Sequence, residues 1–192
     1  TGEFGQFTPV QKKHFSTLKK YMGAEILIQT GNKVDGIVLA NNTLQLATEH
    51  GQIDIALALS RRLYMYYTSI EPNSKKRTFY RNKVLYFLDE LRNETRLELL
   101  YNELNYKLQK RVEIEHIINE FKNYEIGTSW RYNWYFFTCK VLLSFEANDL
   151  NAVLNNCRTA IDWFKKSNSS MPYIVRWVFD FYRIPVLIGR GE

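Results

Sequence analysis

Few side chains in this sequence have the type and spacing to do chemistry. The three histidines, His14, His50 and His116, lie far apart, and none shares metal-ligand spacing with a cysteine or another histidine. The two cysteines, Cys139 and Cys157, each fall in an apolar stretch. They suit small core residues in a reducing compartment better than a disulfide framework. There is no glycine-rich phosphate loop and no serine–histidine–aspartate order. Glu113 and Glu115 are two residues apart, which places them on different sides of a helix rather than in a joint acid–base pair. No metal, cofactor or catalytic residue is expected on these grounds.

Two clusters suggest binding instead. Trp130-Arg131-Tyr132-Asn133-Trp134-Tyr135-Phe136-Phe137 is dense in rings and could form a stacking platform, with Arg131 adding a cation. Yet eight consecutive residues point all round a helix, so most of these rings must pack against neighbouring helices. Lys12, Lys13, Lys19 and Lys20 share one side of a helix, and Arg61-Arg62, Lys75-Lys76-Arg77 and Lys110-Arg111 are further basic runs. They could bind phosphates or simply face solvent. The net charge is +6, and the excess is uneven: residues 1–96 hold 14 Lys+Arg against 9 Asp+Glu. Such a balance is compatible with nucleic acid or acidic partners without requiring them.

The elements that position these residues are helices. Nine glycines and four prolines among 192 residues are too few for the many turns of an all-β fold. Apolar residues recur every three to five positions in Val10–Leu27, Val38–Ala47, Ile55–Tyr67, Tyr80–Leu91, Leu97–Leu108, Ile114–Phe121, Trp134–Phe145, Val153–Phe164 and Val178–Ile188. This predicts about nine helices and no strand. Thr8-Pro9, Asp35 and Ser74 read as helix starts, and Gly51, Asn93 and Asn148 as corners. Residues 1–192 read as one domain, 1–7 being a flexible lead-in and Lys165–Ser170 a polar loop before a helix start at Met171-Pro172. The chain begins at Thr1 without methionine, which leaves room for an upstream segment.

One helical hairpin occurs twice, at 34–69 and 130–166. Ala47, Gly51, Ile53 and Ala56 punctuate the first copy; Ser144, Asn148, Leu150, Val153, Cys157 and Ala160 punctuate the second. This pattern of small residues at crossings and a turn residue at the corner resembles the tetratricopeptide repeat. The corners lie 42 and 55 residues apart, so the likeness is to an irregular array. It implies an all-α array of antiparallel helical hairpins, an α-solenoid. It also implies a non-enzymatic scaffold or regulatory module that holds a peptide or a partner protein in its concave groove. Carried over by position, Asn41, Asn42 and Gln45 in the first hairpin, and Tyr135, Thr138 and Leu142 in the second, would line that groove. Amide side chains suit an extended peptide because each both donates and accepts.

A second resemblance competes. Arg111, four intervening residues and His116 look like the signature of the all-helical HEPN ribonucleases, in which the arginine holds the phosphate and the histidine handles protons. Val112 departs from the polar residue usual after that arginine. The alternative function is therefore a nucleic-acid-binding helical protein with metal-independent RNA cleavage at Arg111/His116. No apolar run reaches membrane-spanning length and no signal peptide is visible, so a cytoplasmic protein with no membrane partner is expected.

Overall fold

Long apolar periodicity with few breakers produces helices throughout. The computed structural model describes residues 9–166 and 173–190. Among them there are eight helices and no strand: α1 (Pro9–Gln29), α2 (Lys33–Glu49), α3 (Ile53–Ser69), α4 (Ser74–Lys110), α5 (Glu115–Phe121), α6 (Trp130–Glu146), α7 (Leu150–Lys166) and α8 (Tyr173–Arg190). The predicted lead-in 1–7, the cap at Thr8, most of the 165–170 loop and the start at Met171-Pro172 lie outside the described residues. The chain divides into two compact units, residues 1–92 and 93–192, with the boundary inside α4.

The helix count corrects one expected corner. Asn93 does not end a helix; α4 runs through it for 37 residues. The apolar stripe changes face there. Tyr80, Phe87 and Leu91 serve the core of the first unit, whereas Leu97, Leu100 and Leu104 serve the core of the second. The two stripes differ by roughly a third of a turn at 3.6 residues per turn. A continuous helix serving two cores thus imitates a break in the sequence pattern.

Three of the corners share one backbone device. Gly51, Arg111 and Asn148 all have positive φ, of 63°, 55° and 54°. Beyond each, an N–H returns to a carbonyl five residues earlier: Gln52 to Ala47 at 2.8 Å, Val112 to Lys107 at 3.1 Å and Asp149 to Ser144 at 3.0 Å. These bonds satisfy carbonyls that the helix end would leave open. Two helix starts also differ from expectation. Asp35 lies in the first turn of α2 and accepts from Asn32 Nδ2 at 2.8 Å. Asn73, not Ser74, caps α4 by accepting from the Lys76 N–H at 3.0 Å.

In the first unit, α2 packs between α1 and α3 around Ala24, Ala40, Ala47 and Ala56, all fully buried. Gly36 allows the closest approach: a Cβ there would lie 2.9 Å from the Ile28 nitrogen and 3.2 Å from the Ala24 oxygen. Arg62 on α3 pairs with Glu25 on α1, its Nε donating to Glu25 Oε1 at 3.0 Å. In the second unit, α6 and α7 pack through Val141, Cys139, Val153, Cys157 and Ala160, each fully buried. Phe179 of α8 closes that core against Trp134, Phe137 and Phe164.

Gly36→Ala and Gly23→Ala form a matched test. Alanine in place of glycine within a helix normally gains up to about 1 kcal/mol. At Gly23 the new Cβ meets only Leu39 Cδ2 at 3.5 Å, an ordinary contact, so Gly23→Ala should raise the melting temperature. At Gly36 it meets backbone that cannot move aside, and overpacking of this kind costs about 1–3 kcal/mol. Gly36→Ala should lower the melting temperature. Thermal melts of both variants check the opposed signs.

His50, at the end of α2, supplies a pH test. Burial, then Lys13, hold its pKa below the ordinary 6.5. The folded chain therefore keeps this ring neutral, and the resulting stability is present above the unfolded value and lost as pH falls through it. Stability of the first unit should drop from neutral pH toward mildly acidic pH, and His50→Gln should remove part of that drop in urea titrations.

Candidate functional site

The first hairpin presents one face of α2 outward. Asn42 and Gln45 are exposed on it, and Gln45 Nε2 donates to Glu49 at 2.9 Å. Asn41 is committed internally. It is half-buried, its Nδ2 donates to the Ile37 carbonyl at 3.0 Å and its Oδ1 accepts from the Tyr80 hydroxyl of α4. Tyr80 is in turn stacked on Tyr67 with ring centroids 5.5 Å apart. Asn41 therefore ties α2 to α4 rather than offering both its groups to a ligand. Val38, expected in the apolar stripe that packs this helix, is instead 55% exposed, and with Val34, 68% exposed, it precedes Asn42 at four-residue spacing. Continuing the i, i+4 row backward from Asn42 places both on this face.

In the second unit, polar groups buried at the start of α6 fix its position. The Ser129 hydroxyl donates to Glu94 Oε2 at 2.7 Å and accepts from the Tyr132 N–H at 3.3 Å. Arg131 Nε approaches the same Glu94 carboxylate at 3.5 Å. Asn133 is fully buried; its Oδ1 accepts from the Gly127 N–H, and its Nδ2 donates to the carbonyls of Gly127 and Ser129. This bracket satisfies the entry loop and sets the rotation of α6.

That rotation places the three predicted residues differently. Thr138 is 1% exposed and its hydroxyl donates to the Trp134 carbonyl at 2.7 Å, so it belongs to the core. Tyr135 is half-buried beside Tyr101, with centroids 5.4 Å apart. Burial, then a hydrogen bond to Glu98, push its phenol up to about 12. Leu142 forms part of the wall of an apolar hollow of about 370 Å³, together with Leu108, Phe145, Phe181, Tyr182 and Pro185, and Glu146 is the one charged group in that lining. Phe136 and Phe137 are buried, and Trp134 packs on Phe179, so this part of the aromatic run is core. A second hollow, of about 530 Å³, opens where Phe121, Tyr124, Ile126 and Phe136 meet Lys122, Glu125 and Lys140.

Arg111 and His116 are used locally. Arg111 is the positive-φ residue at the end of α4. His116 is half-exposed; its Nε2 lies 2.8 Å from Glu103 Oε1 and its Nδ1 lies 3.5 Å from Lys107 Nζ. Among the described residues, no three His, Cys, Asp or Glu side chains gather where they could hold a metal ion. No described helix is long and apolar enough to cross a membrane. Comparison with protein families, curated proteins and solved structures found no match for the chain.

Asn133→Leu tests the bracket. It leaves the Gly127 N–H and two carbonyls without this partner, at about 1–3 kcal/mol for each group that stays buried and unsatisfied. The variant should lose at least about 2 kcal/mol in denaturant unfolding and loosen α6, measured as faster amide exchange around Tyr135.

Proposed function

We propose that the chain is a non-enzymatic binding module, tetratricopeptide-like in kind, that holds a peptide or a segment of a partner protein against α6. The observation that carries this reading is the apolar hollow beside Leu142. Its size suits one or two aliphatic or aromatic side chains, and its walls come from three different helices, α4, α6 and α8. Glu146 at the hollow favours an uncharged or cationic neighbour for the anchoring side chain. The α2 face, where Val34 and Val38 precede Asn42 and Gln45, supports the same kind of contact: apolar grip alternating with amide bonding to a peptide backbone. Local bonding of His116 to Glu103, and the helix-ending role of Arg111, favour structural use of that pair over RNA cleavage. A cytoplasmic setting belongs to this reading, since two unpaired buried cysteines are ordinary there.

Selection of displayed random peptides on the full chain, followed by fluorescence anisotropy, tests the proposal. Selected peptides should share an aliphatic or aromatic anchor. Phe181→Ser and Leu142→Ser should each weaken binding by roughly tenfold or more, as loss of an anchor contact does, with helical circular dichroism unchanged. Failure to select any anchor, or selected peptides that ignore both variants, would refute it. Cleavage of RNA by the wild type but not by His116→Ala would establish the ribonuclease reading in its place.

A further inference from the structure

The side of α1 turned away from α2 and α3 is apolar where an exposed helix face would normally be polar. Thr17, Ala24 and Ile28 face inward and are buried. On the opposite side, Leu18, Met22 and Ile26 are 36%, 51% and 56% exposed. Their four-residue spacing makes one ridge about 12 Å long at 1.5 Å per residue. Ridges of this i±4 kind fit the grooves of a second helix, the commonest mode of helix packing.

Charge narrows the occupant. Lys12 and Lys19, seven residues apart and both exposed, border one edge of the ridge. Lys13 and Lys20 extend the positive charge round the same side of the helix. Glu25 is the one carboxylate of α1, and it is engaged by Arg62 on the other edge. A helix lying on an anionic bilayer would carry cations along both edges of its apolar strip. Here they line one edge, and the other holds an internal ion pair. We propose that this ridge docks an amphipathic helix of a partner protein, apolar along one stripe and acidic along one edge, so that its carboxylates meet Lys12 and Lys19. This surface lies in the first unit and is independent of the hollow at Leu142.

The probe is a synthetic helix of about 18 residues, long enough to be helical, with leucines at i, i+4 spacing and glutamates on one edge. Its control carries lysines in place of the glutamates. By fluorescence anisotropy the full chain should bind the acidic helix and not the control, and binding should weaken as salt rises. Met22→Glu, at an exposed position, should reduce binding by roughly tenfold or more. Lys12→Glu with Lys19→Glu should do the same and should shift preference toward the lysine control. Ile26→Ser is a second ridge variant should Met22→Glu alter the circular dichroism. Equal binding of both helices, or binding indifferent to the ridge variants, would overturn the proposal. So would sedimentation with phosphatidylserine vesicles that Met22→Glu abolishes, which would mark a bilayer surface. A concentration-dependent dimer lost in the same variant would show instead that a second copy covers the ridge.

Discussion

Everything in the first unit depends on how closely α1 and α2 approach. At Gly36 the neighbouring backbone occupies the space a side chain would need. Ala24, Ala40, Ala47 and Ala56 keep the surrounding layers thin, and each is wholly shielded from water. The short end of the usual range of helix separations, about 8 Å between axes, is reached only with small groups at the crossing. Once α2 is drawn in on Gly36, its opposite side must face outward. The positions of Val34, Val38, Asn42 and Gln45 are a consequence of that one contact.

The second unit solves the same problem with different materials. Cys139, Cys157 and Ala160 supply the small surfaces, and aromatic rings fill the wider gaps. Ring contacts are less directional than hydrogen bonds and leave a helix's rotation less sharply set. The buried bracket of Glu94, Ser129 and Asn133 supplies directional bonds that can be made in one arrangement. It is this rotation that leaves Leu142 at a surface hollow and Thr138 inside.

Short-range pattern carried much of this into the sequence. Both hairpins are helix pairs at the expected positions, α2–α3 and α6–α7, with Gly51 and Asn148 at their corners, because periodicity and left-handed residues are local properties. Asn93 misled because a stripe that changes face looks the same whether the chain turns or the core does. Arg111 was read for its charge and not as a corner, because arginine has no preference for positive φ. Asn41 could not be read correctly from its own neighbourhood: its partner Tyr80 is 39 residues away. The hollow at Leu142 is likewise a tertiary product, assembled from α4, α6 and α8, and no window of sequence contains it.

The two thiols of the second unit illustrate what deep burial does to reactivity. Burial raises both Cys139 and Cys157 to about 12, and neither side chain reaches solvent. At neutral pH almost no thiolate forms, so alkylating reagents and mild oxidants have nothing to attack while the core is closed. Labelling must wait for an opening large enough to expose α6 against α7, and its rate then measures how often that opening occurs. The cysteines thus act as an internal clock for the breathing of this core, read from the mass each thiol gains on alkylation, with no residue substituted.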